Sequence, residues 1–127
     1  MAVQLNHTIV HAYDKEESAT FYADILGLPS PTTYGPFREV RLDNEVALDF
    51  LQVDEVLQQH YAFLVSEEEF DEIQNRIVAR ELTYWADPFE KRPGEINHDD
   101  GGRGLYWLDP SGHKLEIITV PYGGWPA

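Results

Sequence analysis

The sequence predicts an α+β chain made of two similar halves, each a strand, a helix and then three further strands. Three observations predict it. Runs of β-formers alternate with two stretches of helical periodicity. A histidine opens the first strand of each half, His7 in one and His60 in the other. Late in each half a carboxylate interrupts an apolar strand, Asp49 in Ala-Leu-Asp-Phe-Leu and Glu116 in Lys-Leu-Glu-Ile-Ile. A pattern that repeats in this way indicates internal duplication. The halves run over about 1–57 and 58–120 of a single 1–127 domain, with a short tail from Pro121.

Leu5 to Val10 is β-prone, and His7, Ile9 and His11 fall on one strand face. Asp14-Lys15-Glu16-Glu17 has capping-box spacing, and Ala19, Phe21, Tyr22, Ile25 and Leu26 follow at helical intervals. Gly27 is a helix stop, and Pro29 and Pro31 forbid continuation. Gly35 to Leu42 and Val46 to Val53 read as strands joined at Asp43-Asn44-Glu45. The second half restarts with the strand His60 to Val65 and a capping box at Ser66 to Glu69, before a helix with Phe70, Ile73, Ile77 and Val78 on one stripe. Leu82 to Ala86 suits a short strand, and Asp87 to Gly102 is a long loop of the kind that is usually functional, here as a cover for the cleft, or disordered. The closing hairpin turns at Asp109-Pro110-Ser111-Gly112. If Asp109 faces His113 across that turn, Tyr106 lies opposite Glu116.

Composition narrows the function. A net charge of −14 argues against nucleic acid, whose phosphates need a basic face. The same charge attracts a cationic ligand or a metal ion, or simply keeps the chain soluble. No stretch approaches the ~20 apolar residues of a membrane span. The N-terminus lacks the basic and apolar regions of a signal peptide, and the absence of cysteine excludes thiolate metal sites. A cytoplasmic protein is expected.

Two histidines and a carboxylate from three strands suit a divalent metal with open positions for substrate. Each residue also has an ordinary explanation, as a hydrogen-bonded strand histidine or an ion-paired carboxylate. Asp49 is a fourth ligand or an acceptor behind the ligands. His11 lies about 13 Å along the strand from His7, so both cannot grip one ion. His98 is a loop-surface residue or an acid/base on a lid, and Arg103 clamps an anion or pairs with acidic neighbours. His113 is expected to be solvated. Tyr106 supplies a phenolic proton, orients substrate, or packs in the sheet.

Leu5-Asn6-His7-Thr8-Ile9-Val10, Phe21-Tyr22 to Leu26-Gly27-Leu28, His60-Tyr61-Ala62-Phe63 and Tyr106 through Glu116 together resemble the vicinal oxygen chelate superfamily, the glyoxalase, bleomycin-resistance and extradiol dioxygenase group. The resemblance covers nearly the whole chain. It implies two βαβββ modules forming a cupped mixed sheet around a divalent metal (Mn, Fe, Ni or Zn), with His7, His60 and Glu116 as ligands and Tyr106 as the catalytic residue. It also implies a homodimer, some members building each site from both chains. The expected activity is Lewis-acid chemistry of lyase, isomerase or dioxygenase type on a small oxygen-rich substrate. The alternative is a non-catalytic dimer that sequesters a cationic antibiotic in an acidic groove.

Overall fold

A computed structural model describes residues 3–126. Met1, Ala2 and Ala127, at the limits of the predicted first half and tail, lie outside the described residues. The fold is α+β, two four-stranded mixed sheets and two α-helices among the described residues. The chain forms two compact units. One runs to Leu57 and adds the turn Asp109–Ser111; the other takes Gln58–Leu108 and the chain from Gly112 on.

In the first unit, β1 (His7–Ala12), α1 (Lys15–Leu26), β2 (Thr32–Tyr34), β3 (Phe37–Arg41) and β4 (Ala47–Gln52) give a sheet ordered β1-β4-β3-β2. Asp14 caps α1 by accepting from the Glu16 and Glu17 amides, so only the carboxylate half of the expected box forms. Gly27 ends the helix in the left-handed region at φ 71°, where a side chain would be strained. Alternation along β1 sends Val10 and Ala12 into the core and leaves His7, Ile9 and His11 exposed. Tyr22 of α1 is fully buried, its ring 4.8 Å from that of Phe50, and its hydroxyl donates to Asp109 at 2.7 Å. The short strand Thr32–Tyr34 precedes the run expected from Gly35, and Gly35 and Pro36 form the turn between it and β3.

The second unit repeats the plan. Strands β5 (His60–Leu64), β6 (Tyr84–Trp85), β7 (Gly104–Leu108) and β8 (Lys114–Ile118) are ordered β5-β8-β7-β6, with α2 (Glu67–Ala79) after β5. Here the capping box is complete, Ser66 and Glu69 each bonding the other's backbone amide. Helix α2 buries Phe70, Ile73 and Ile77, and the sheet buries Leu105, Trp107, Leu115 and Ile117 from one of its faces. Lys114, Glu116, Tyr106 and His60 alternate onto the opposite face.

The register is the same in both sheets. His7 pairs with Ala47, two residues before Asp49, and His60 pairs with Lys114, two residues before Glu116. Asp49 and Glu116 are therefore equivalent positions. Across from Asp49 stands Glu39, and across from Glu116 stands Tyr106.

Candidate metal centre

Pairing of β5 with β8 and of β8 with β7 brings His60, Glu116 and Tyr106 to one place in the second unit. The hairpin register is the expected one, Tyr106 opposite Glu116. The Glu116 carboxylate is 1% exposed, and its Oε1 lies 3.0 Å from His60 Nε2. His60 Nδ1 lies 3.0 Å from the Lys114 carbonyl oxygen. A carbonyl only accepts, so Nδ1 carries the proton and donates. In a neutral ring, Nε2 then presents a lone pair to a carboxylate oxygen. Two acceptors at that distance need a proton or a cation between them.

This arrangement fits a metal ligand pair. A metal-binding histidine usually donates its other N–H to a carbonyl or carboxylate, which fixes the tautomer. Two donors each about 2.1 Å from one ion, at a right angle, are about 3.0 Å apart. The observed separation of Nε2 and Oε1 is that distance. In the first unit, His7 Nδ1 lies 2.7 Å from the Asn6 amide oxygen, which only accepts, so in a neutral ring Nε2 is again the nitrogen with the lone pair. Among the described residues, no three His, Asp or Glu side chains gather into a group able to hold a metal ion.

Tyr106 is 6% exposed and its ring stacks on His60, with centroids 5.9 Å apart. Burial, the Tyr122 hydroxyl and the Glu116 carboxylate together hold its phenol well above the ordinary 10.0. At neutral pH Tyr106 is therefore a hydrogen-bond donor and not a base. Its hydroxyl lies 3.3 Å from that of Tyr122, which in turn lies 2.6 Å from both Glu116 oxygens. Tyr122 comes from the stretch that the sequence presents only as a tail. Its phenol is also raised, chiefly by partial loss of water around it and then by its bond to Glu116.

The remaining candidates divide. Asp49 is 4% exposed with an unpartnered Oδ1, and its carboxyl is raised by burial and by the like charge of Glu39. His11 lies on the exposed face of β1. His98 is an exposed loop residue whose Nδ1 donates to the Gly102 carbonyl. Arg103 takes the second of its two expected roles, bonding Glu67 at 2.7 Å and Asp71 at 2.8 Å while lying over the Phe70 ring. His113 corrects the expectation of a solvated residue. It is fully buried, accepts at Nδ1 from the Gln59 amide, and meets the Tyr61 ring edge-on. A turn-adjacent histidine looks exposed in sequence because the strand that covers it lies 54 positions away.

No family model matches the chain. It is 30% identical over 124 residues to a glutathione transferase FosA from Serratia marcescens, covering 92% of this chain and 81% of that protein. Among solved structures it is similar to the oxidase ChaP-H1, at 62% identity and a TM-score of 0.94, covering 97% of this chain and 100% of the other. The oxidase ChaP-H2 matches at 61% identity and a TM-score of 0.95, covering 98% of each chain.

Proposed function

The chain belongs to the vicinal oxygen chelate superfamily, and we propose that it is a divalent-metal-dependent oxidase of that group acting on a small oxygen-rich molecule. The observation that carries this reading is the His60–Glu116 pair, a buried carboxylate oxygen 3.0 Å from an imidazole nitrogen whose other nitrogen already donates to a carbonyl. A divalent ion there supplies a Lewis acid for substrate oxygens. Manganese, iron, nickel and zinc all suit this nitrogen and oxygen donor set. His60 and Glu116 are two ligands, and His7, whose Nδ1 is likewise engaged with an acceptor so that Nε2 can face an ion, is the third. A second copy of the chain contributes it, so the working unit is a homodimer. Tyr106, kept protonated, donates to a substrate oxygen and orients it. Oxidase chemistry is supported by the identity of 61–62% to two proteins that bear that name.

A fold that sequesters a cationic drug would use the charge of −14 but has no need for a buried carboxylate held 3.0 Å from an imidazole nitrogen. Among the described residues no helix is long and apolar enough to cross a membrane, and the acidic charge gives nucleic acid no basic face.

Metal content tests the assignment. Purified protein is expected to hold a stoichiometric divalent ion, and His7→Ala and His60→Ala are each expected to lose it. Coexpressing those two variants adds a test of the shared site. A mixed dimer joins the intact His7 of one copy to the intact His60 and Glu116 of the other, so half of its sites keep metal. Negligible metal in the unaltered protein refutes the metal reading, and no recovery in the mixed dimer refutes the shared site.

A further inference from the structure

We infer that Tyr122 is a positioning residue for the Glu116 ligand: it holds one carboxylate oxygen so that the other is left to the ion. The inference rests on the metal reading above. Tyr122 donates to Glu116 at 2.6 Å, within reach of Oε1 and Oε2 alike, and Tyr106 donates to the Tyr122 oxygen at 3.3 Å. Oε1 also faces His60 Nε2 at 3.0 Å, whereas Oε2 lies 2.6 Å from the Tyr122 hydroxyl. Were His60 and Glu116 to hold an ion through Nε2 and Oε1, Tyr122 would keep its bond to Oε2. The carboxylate would then serve the ion through one oxygen and be fixed through the other.

The tail is built to hold that phenol in place. Beyond β8, the Thr119 amide donates to the Arg103 carbonyl and the Thr119 hydroxyl accepts from the Arg103 amide, which extends the hairpin past its last strand residue. The chain then reverses, the Gly124 amide donating to the Pro121 carbonyl at 2.8 Å. Gly123 sits at φ 81°, the conformation that the third position of a type II turn demands. Proline at the first position and glycine at the third fix where Tyr122, between them, can point. The ring is largely exposed, with 62% of the residue accessible, while its hydroxyl reaches back to a carboxylate that is 1% exposed. An exposed ring contributes little to the core, so the hydroxyl is the part of this residue with a specific task. Tail placement and ligand geometry thus meet at one oxygen atom.

Hydrogen-bond partners behind a metal ligand typically set 10–100-fold of affinity. Mn²⁺ binding to metal-stripped Tyr122→Phe and Tyr122→Leu proteins, read by calorimetry and by the rate of release to a chelator, is expected to weaken by about 10–100-fold. The Mn²⁺ electron paramagnetic resonance spectrum is expected to change as the freed carboxylate shifts toward two-oxygen attachment. The metal-free melting temperature of both variants should stay within a few degrees of the unaltered protein, a result that a purely structural role does not give. Affinity within twofold of the unaltered protein, or tighter binding in the variants, overturns the inference. If the unaltered protein itself fails to bind Mn²⁺ or any other first-row divalent ion, the metal reading is what fails.

Discussion

Glu116→Gln separates the two states of the site with a change of almost no volume. In the metal-free protein the new amide can donate to His60 Nε2, which faces this position at 3.0 Å, while its oxygen still accepts from Tyr122. The acceptor–acceptor conflict is thereby relieved without a cation, and the metal-free variant should melt within a few degrees of the unaltered protein. Metal binding responds in the opposite sense, since the amide nitrogen has no lone pair for an ion. At a free ion concentration 100 times its Kd, the unaltered protein gains about 2.7 kcal/mol of stability. If Gln weakens binding by 100-fold or more, the gain at the same concentration falls to about 0.4 kcal/mol or less. For a chain of 127 residues, 1 kcal/mol moves the melting temperature by roughly 3–6 °C. Melting with Mn²⁺ and with a chelator should therefore differ by ~8–16 °C in the unaltered protein and by at most ~1–2 °C in Glu116→Gln. An equal metal-induced shift in both proteins would falsify the placement of Glu116 as a ligand.

Two further outcomes concern groups around the site. Burial, then the Glu39 charge, raises the Asp49 carboxyl above 3.8 in the folded state, so its proton favours folding at low pH and that contribution is lost as pH rises through the folded value. Asp49→Asn should therefore gain melting temperature relative to the unaltered protein as pH increases from about 4 to 7, and a difference that stays flat with pH contradicts this. A Cβ on Gly102 would come 2.7 Å from both Thr119 Oγ1 and Val120 Cγ2. Gly102→Ala should cost about 1–3 kcal/mol by overpacking and also weaken Mn²⁺ binding, because the displaced residues lead directly to Tyr122; calorimetry with unchanged affinity would show that the tail does not act on the ligand.

Much of the architecture could be read without coordinates because it was written in local signals. Ser66 and Glu69 announce a helix start, Gly27 announces a stop, and Asp-Pro-Ser-Gly announces the turn whose register sets Tyr106 against Glu116. The duplicated histidine and carboxylate could be read for the same reason, as period-two strands with one polar interruption. What sequence hid depends on distant partners. His113 is buried by contacts 54 positions away, and Arg103 is committed to Glu67 and Asp71 on a helix more than 30 positions upstream. Tyr122 was hidden differently. Pro-Tyr-Gly-Gly reads as a loose end, and only a turn that folds back brings its hydroxyl against Glu116.

The shared register of the two sheets has an engineering consequence. The two strand neighbours of Glu116 have addressable counterparts around Asp49: His7 for His60, and Glu39 for Tyr106. At these three register positions the first unit differs from the second at two side chains, Asp49 for Glu116 and Glu39 for Tyr106. Installing Glu at 49 and Tyr at 39 transplants the imidazole–carboxylate–phenol trio onto a backbone already spaced to receive it. One half of the molecule can serve as the internal ruler for redesigning the other.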